Sequence, residues 1–184
     1  MRKVLFLVFF LVMMLYIGEA YALNAASMQG GNPDNWYMEV KFNPTATGFA
    51  MGRPCHGDVV EWDLDSDTGE TLGVTVHLAD SADAENVAGV VPSWDDTAHN
   101  LGDTVLVDGD TFLIQIRGYH SGVAAATGVT EGQSIENDAN AQVTDGDGLG
   151  FAFKASAVNT SAKESSRGAG YFAPCWIDFD KGTN

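Results

Sequence analysis

Positive charge is scarce in this chain. Nine Lys and Arg stand against 25 Asp and Glu, a formal net charge of −16 over 184 residues. Such a surface repels phosphate backbones and anionic bilayers, which argues against nucleic acid or membrane lipid as a partner. Cysteine is limited to Cys55 and Cys175. With no C-x-x-C-H, a covalently attached c-type haem is excluded. The four histidines, His56, His77, His99 and His120, form neither H-x-H nor H-E-x-x-H, so the pattern of a zinc enzyme is missing. There is no G-x-S-x-G, and no nucleophile–base arrangement can be read. Long helical periodicity is also lacking, which leaves strands and turns to build the fold.

What is present begins with a leader. Arg2 and Lys3 precede an apolar run, Val4 to Gly18, and then the small-x-small site Ala20-Tyr21-Ala22. That order predicts an export signal over residues 1–22. The run is shorter than the ~20 residues of a membrane span, and a retained anchor is the alternative. Residues 23–35 are polar and rich in Gly, Asn and Pro, a flexible lead-in. Residues 36–184 then form a single domain, secreted to the periplasm or the extracellular space. In an oxidising compartment a Cys55–Cys175 disulfide is the default. It would close a loop of about 120 residues and stabilise by ~4 to 5 kcal/mol in the chain-entropy model; two thiols are the alternative. The excess of carboxylates favours solubility, cation binding or docking to a basic protein surface; adaptation to salty surroundings is the alternative. Asn159-Thr160-Ser161 has the pattern of a glycosylation sequon.

Short alternating segments separated by turn residues predict an all-β domain, an antiparallel β-sandwich of immunoglobulin- or jelly-roll-like type. Trp36, Met38, Val40 and Phe42 share one face of a strand, with Glu39 and Lys41 opposite. A second strand runs from Asp58 to Leu64 with Val60, Trp62 and Leu64 inward. A third, Thr71 to Leu78, turns Leu72, Val74, Val76 and Leu78 to the core. Thr104–Val107 and Thr111–Arg117 flank Asp108-Gly109, the signature of a tight hairpin. Leu149–Ala155 and Tyr171–Asp180 are the last strands. Ser81–Gly102 is a connection, and Ser121–Asp147 is long enough to be a functional loop.

Gly48 to Asp67 concentrates the chemistry-bearing residues. Asp63, Asp65 and Asp67 place carboxylates at alternate positions into a turn, a spacing that suits Ca2+; a solvated acidic turn is the alternative. Met51 is either a core side chain or a soft thioether ligand able to bind haem iron.

The run FAMGRPCHGDVVEWDLD (Phe49 to Asp65) resembles the Met-Gly segment of the haem b subunits that accompany ethylbenzene dehydrogenase-type molybdenum enzymes. DGDTFLIQIRGY (Asp108 to Tyr119) is similar to a later strand of that family, with Arg117 at its Arg position. GLGFAFKASAVNTSAKESS (Gly148 to Ser166) resembles its late Phe-Ala strand. The resemblance implies a DOMON-like sandwich holding haem b without covalent attachment, with Met51 and Lys163 as axial ligands. Related DOMON cytochromes use Met and His, which makes His120 the second choice and Lys154 the third. Such a protein would transfer electrons to a redox partner and perform no bond-making chemistry. The same segments also resemble family-nine carbohydrate-binding modules. That likeness implies a polysaccharide ligand, stacking aromatics such as Trp36 and Trp94, and a structural calcium near Asp65. A third expectation is an extracellular filament subunit or other homo-oligomer, assembling when the lead-in adds a strand to a neighbour's open sheet edge.

Overall fold

Period-2 alternation and β-branched residues give strands throughout, and the computed structural model contains no α-helix among the residues it describes, which are 35–44, 53–64, 73–80, 86–146, 148–159 and 170–178. All of them lie within one compact unit, Asp34–Asn184. The strands are β1 (Trp36–Phe42), β2 (Val59–Trp62), β3 (Thr75–Leu78), β4 (Val87–Val90), β5 (Thr111–Ala125), β6 (Ser134–Asp138), β7 (Gln142–Asp145), β8 (Gly150–Ala152), β9 (Ala157–Asn159) and β10 (Gly170–Asp178). The expected all-β class holds.

The sheet closes on itself. β1 pairs with β3, β3 with β2, β2 with β4, β4 with β5, and β5 returns to β1, forming a five-stranded barrel. β5 is 15 residues long and outruns that barrel. Its C-terminal half enters a second circuit through β7, β6, β8 and β10, which pairs back onto β5; β9 adds to β10.

Each circuit has its own apolar core. Val40, Phe42, Val60, Val76, Ala88, Phe112 and Ile114 fill the first. Val123, Ile135, Val143, Ala152, Ala173, Cys175 and Ile177 fill the second, joined by Val59, Val87 and Val90 from the barrel strands. β2 and β4 therefore bury both faces, which explains their unbroken apolar runs, Val59-Val60 and Val87 to Val91. Strands covered on both sides lose the alternating pattern. Fully buried residues such as Ile114, Ile135 and Ile177 each contribute about 1.5–3 kcal/mol of apolar burial.

Several expectations change. Asp108-Gly109 does form the turn, with Asp110 N–H donating to Val107 O at 3.0 Å. Residues 104–107 are not its partner strand, however, because β1 takes that edge of β5 over Lys41↔Thr111 to Trp36↔Arg117. Val105 and Val107 are left exposed. β4 lies inside the expected 81–102 connection, and the expected 121–147 loop holds the end of β5 and all of β6 and β7. Leu64, expected inward, is exposed. The expected Cys55–Cys175 disulfide is not formed. Cys175 lies in the second core and donates to Ala173 O at 3.3 Å, while the Cys55 thiol is turned to Arg53 O at 3.8 Å. Burial pushes both thiols up to about 12.

Candidate functional site

Two register shifts decide what the outer face of β5 presents. On β10, Cys175 is opposite His120 but Ala173 is opposite Val123, so β5 carries one extra residue between them. Such a bulge reverses which alternate residues face inward. Val123 and Ala125 face the second core beyond it; before it, the inward residues are Gly118 and His120, and Arg117 and Tyr119 point outward. On β1 the register shifts between Trp36 and Tyr37, which frees Trp36 from the inward row that the alternation predicted. Trp36 is 49% exposed.

The result is a row of rings across three strands. Tyr119 on β5, Trp176 on β10 and Phe151 on β8 are directly paired, and directly paired residues share a face. Tyr119 and Phe151 are about two-fifths exposed, as is Phe153 just beyond β8. The Phe153 ring lies 5.5 Å from Tyr119 and 4.9 Å from Phe151, centroid to centroid. A second row flanks the first: Trp36, Arg117 and Asp178 are paired across β1, β5 and β10. The Arg117 guanidinium sits 5.1 Å over the Trp36 ring, and its Nε is 4.0 Å from Asp178 Oδ1. Asn35 donates its amide to Tyr119 O at 3.2 Å. Gly150 makes the row feasible, because a Cβ there would lie 1.9 Å from Trp176 O.

Next to this face, the segment from Val91 to Asn100 gathers three histidines. His120 is fully buried; its Nε2–H donates to Val91 O at 2.9 Å, and Gly122 N–H donates to its Nδ1 at 3.2 Å. Burial lowers it to about 4, against a smaller opposing effect of the Val91 carbonyl. His56 donates Nδ1–H to Pro92 O at 3.3 Å and meets the Trp94 ring edge-on at 4.8 Å; burial lowers its pKa as well. These two rings line a cleft of about 120 Å³ with Ser93, Asp95, Ser121 and Phe172. His99 donates Nδ1–H to the Asp96 carboxylate at 2.9 Å and stacks on Tyr37 at 3.9 Å. Asp96 also accepts from the Tyr37 hydroxyl. Burial alone would raise the Asp96 carboxyl, but the bonds from Tyr37 and His99 outweigh it and hold it below its ordinary value. His99 borders a shallow pocket of about 230 Å³ with Leu101, Leu106, Phe112, Thr104 and Thr111.

Of the residues predicted to bind a cofactor or metal, Met51, Lys163, Asp65 and Asp67 lie outside the described residues. Both ring nitrogens of His120 are engaged, so in this conformation it has no nitrogen to offer an iron. Lys154 is exposed between β8 and β9. Asp63 is buried and accepts the Asn43 amide. The chemistry-rich run around Cys55 forms a tight turn: Asp58 N–H donates to Cys55 O, and Cys55 N–H donates back to Asp58 Oδ2. Gly57 takes φ +81°, and a Cβ there would lie 2.3 Å from Gly122 O. That turn packs on β5, where Ala124 N–H donates to Gly57 O.

Alternation put Trp36 in the row of Met38, Val40 and Phe42, whereas the likeness to carbohydrate-binding modules implied that Trp36 and Trp94 are exposed, as both are; neither pointed to the row of rings beside them. Its signal is faint: aromatics at alternate positions, Phe151 and Phe153, and a Trp176 two residues before an Asp. Comparison with protein-family profiles, curated proteins and solved structures finds no match for this chain.

Proposed function

We propose that this is an exported carbohydrate-binding domain that holds a glycan chain on the outer face of β1, β5, β10 and β8. The observation that carries this reading is the paired row Tyr119–Trp176–Phe151, extended by Phe153 and bordered by Trp36, Arg117 and Asp178. Contiguous exposed apolar surface on a soluble domain marks a binding site. Rings side by side across a sheet offer flat apolar surfaces for the C–H faces of successive sugars. Planar Arg and Asp side chains at the border can bond their hydroxyls. The Trp94 cleft with Ser93, Asp95 and Ser121 lies beside this face and supplies a further ring with polar neighbours. The leader Arg2 to Ala22 supports export. The reading takes the fold as a variant of the sandwich, supported by the two cores packed on either side of β2 and β4, with the β1–β3 and β5–β7 pairs parallel rather than antiparallel as the sequence led one to expect.

A glycan array, followed by titration with the best oligosaccharide, tests this. Replacing Tyr119 or Phe151 by Ala removes ~1–2 kcal/mol of apolar contact and should weaken binding by roughly 5- to 30-fold without loss of the fold. Absence of binding to any glycan by the wild-type protein sinks the reading. The rival readings show themselves in the same preparation. A Soret band abolished by Met51→Ala would support the haem b protein with Met51 and Lys163 as ligands; fibres that require the lead-in would support the filament subunit.

A further inference from the structure

We propose that Glu61, His77 and Asp80 form a binding site for a divalent transition metal, Zn2+ in particular, at the junction of the two strand circuits. Glu61 on β2 and His77 on β3 are directly paired across the ladder, and Asp80 follows two residues after the end of β3. One donor atom from each of the three lies within 4.8 Å of the other two. Zn–N and Zn–O bonds of about 2.0–2.2 Å set neighbouring donors roughly 3.2–3.6 Å apart in a tetrahedral site. Closing the gap requires a movement of roughly an ångström. The exposed Asp80 can make it; Glu61, 3% exposed, stays in place.

Two observations outside the triad point to a metal. His77 donates Nδ1–H to Leu78 O at 2.8 Å. That bond fixes the tautomer and leaves the Nε2 lone pair as the donor, the arrangement typical of metal-binding histidines. Glu61 is oriented by the buried Asn137 on β6, whose Nδ2 donates to Glu61 Oε1 at 3.1 Å. A carboxylate held by a second side chain is likewise the outer support that metal ligands receive. The donor set of one imidazole and two carboxylates selects Zn2+ over Ca2+, which prefers six to eight oxygens. Three protein ligands leave a fourth position for water.

The location suggests what the ion does. Ala79, between His77 and Asp80, donates to Val59 O at 3.1 Å and accepts from Ala141 N–H at 2.8 Å, and Val59 donates to Ala141 O at 2.9 Å. This is where barrel strands meet the β6–β7 turn of the second circuit. An ion here clamps β2 to β3 and, through Asn137, holds β6 against them.

The test is calorimetric titration of the chelator-treated full chain with ZnCl2 and, separately, CaCl2, with thermal melts in parallel. One Zn2+ per chain is expected, together with a rise in Tm. Affinity should fall at least 10-fold in Asp80→Ala and His77→Ala, and about 10- to 100-fold in Asn137→Ala. His99→Ala should bind as the wild type does. Asp80 is exposed, so its variant keeps the fold and remains informative even if His77→Ala does not. No saturable Zn2+ uptake by the wild type, preference for Ca2+, or uptake unchanged in Asp80→Ala would each overturn the proposal.

Discussion

His120 is an imidazole made into a structural part. Its Nε2–H serves the Val91 carbonyl and its Nδ1 accepts from Gly122, so only the neutral ring satisfies both bonds. Burial, with His56 nearby, lowers it from 6.5 to about 4. Folding therefore favours the neutral form. The stabilisation is complete above pH 6.5, where the unfolded chain is also neutral, and it is lost as the pH falls from 6.5 through 4, because the unfolded state takes up the proton first. The shift corresponds to about 3 kcal/mol. Tm should drop between pH 7 and 4.5, and the drop should be clearly smaller in His120→Gln. Equal slopes for the two proteins, measured by circular dichroism melts, would show that other groups carry the acid sensitivity.

At the scale of the element, β5 does most of the organising. Its N-terminal half closes the barrel and its C-terminal half closes the second circuit. The bulge between them turns Tyr119 outward and Val123 inward within four residues. β8 is only three residues long, and its place against β10 depends on Gly150 at φ +137°. A Cβ there meets the Trp176 carbonyl, a backbone group that cannot swing aside. Gly150→Ala should destabilise the domain by at least about 2 kcal/mol. It should also weaken glycan binding, since it displaces Phe151 from Trp176. A urea titration beside the binding assay checks both; unchanged stability would mean that β8 shifts without cost.

For the whole molecule, two cores share β5, β2 and β4, and this should make unfolding cooperative. Ile114 belongs to the barrel interior and Ile135 to the second core, and both are fully buried. Ile114→Ala and Ile135→Ala should each cost about 2–5 kcal/mol. Both should lower one common transition rather than separate ones, as seen by tryptophan fluorescence and far-ultraviolet circular dichroism on the same sample. Two transitions, each sensitive to one variant, would show that the circuits unfold independently.

The sequence alone determined the all-β class, the inward rows Val40–Phe42 and Val76–Leu78, and the turn at Asp108-Gly109. All of these are local: alternation of period two and a Gly at a left-handed position act within a few residues. It misled where the cause was distant. β2 and β4 bury both faces, so their runs do not alternate, and β4 went unseen inside a presumed connection. His120 was the second-choice haem ligand that the family resemblance implied, and the Val91 carbonyl that occupies its Nε2 is not visible in the sequence. Only the tertiary structure decided that Trp36, Tyr119, Trp176 and Phe151 share an outer face, and that Glu61, His77 and Asp80 converge. Strand pairing is settled by competition among distant partners, and a shift of one residue moves a side chain to the opposite face of the sheet.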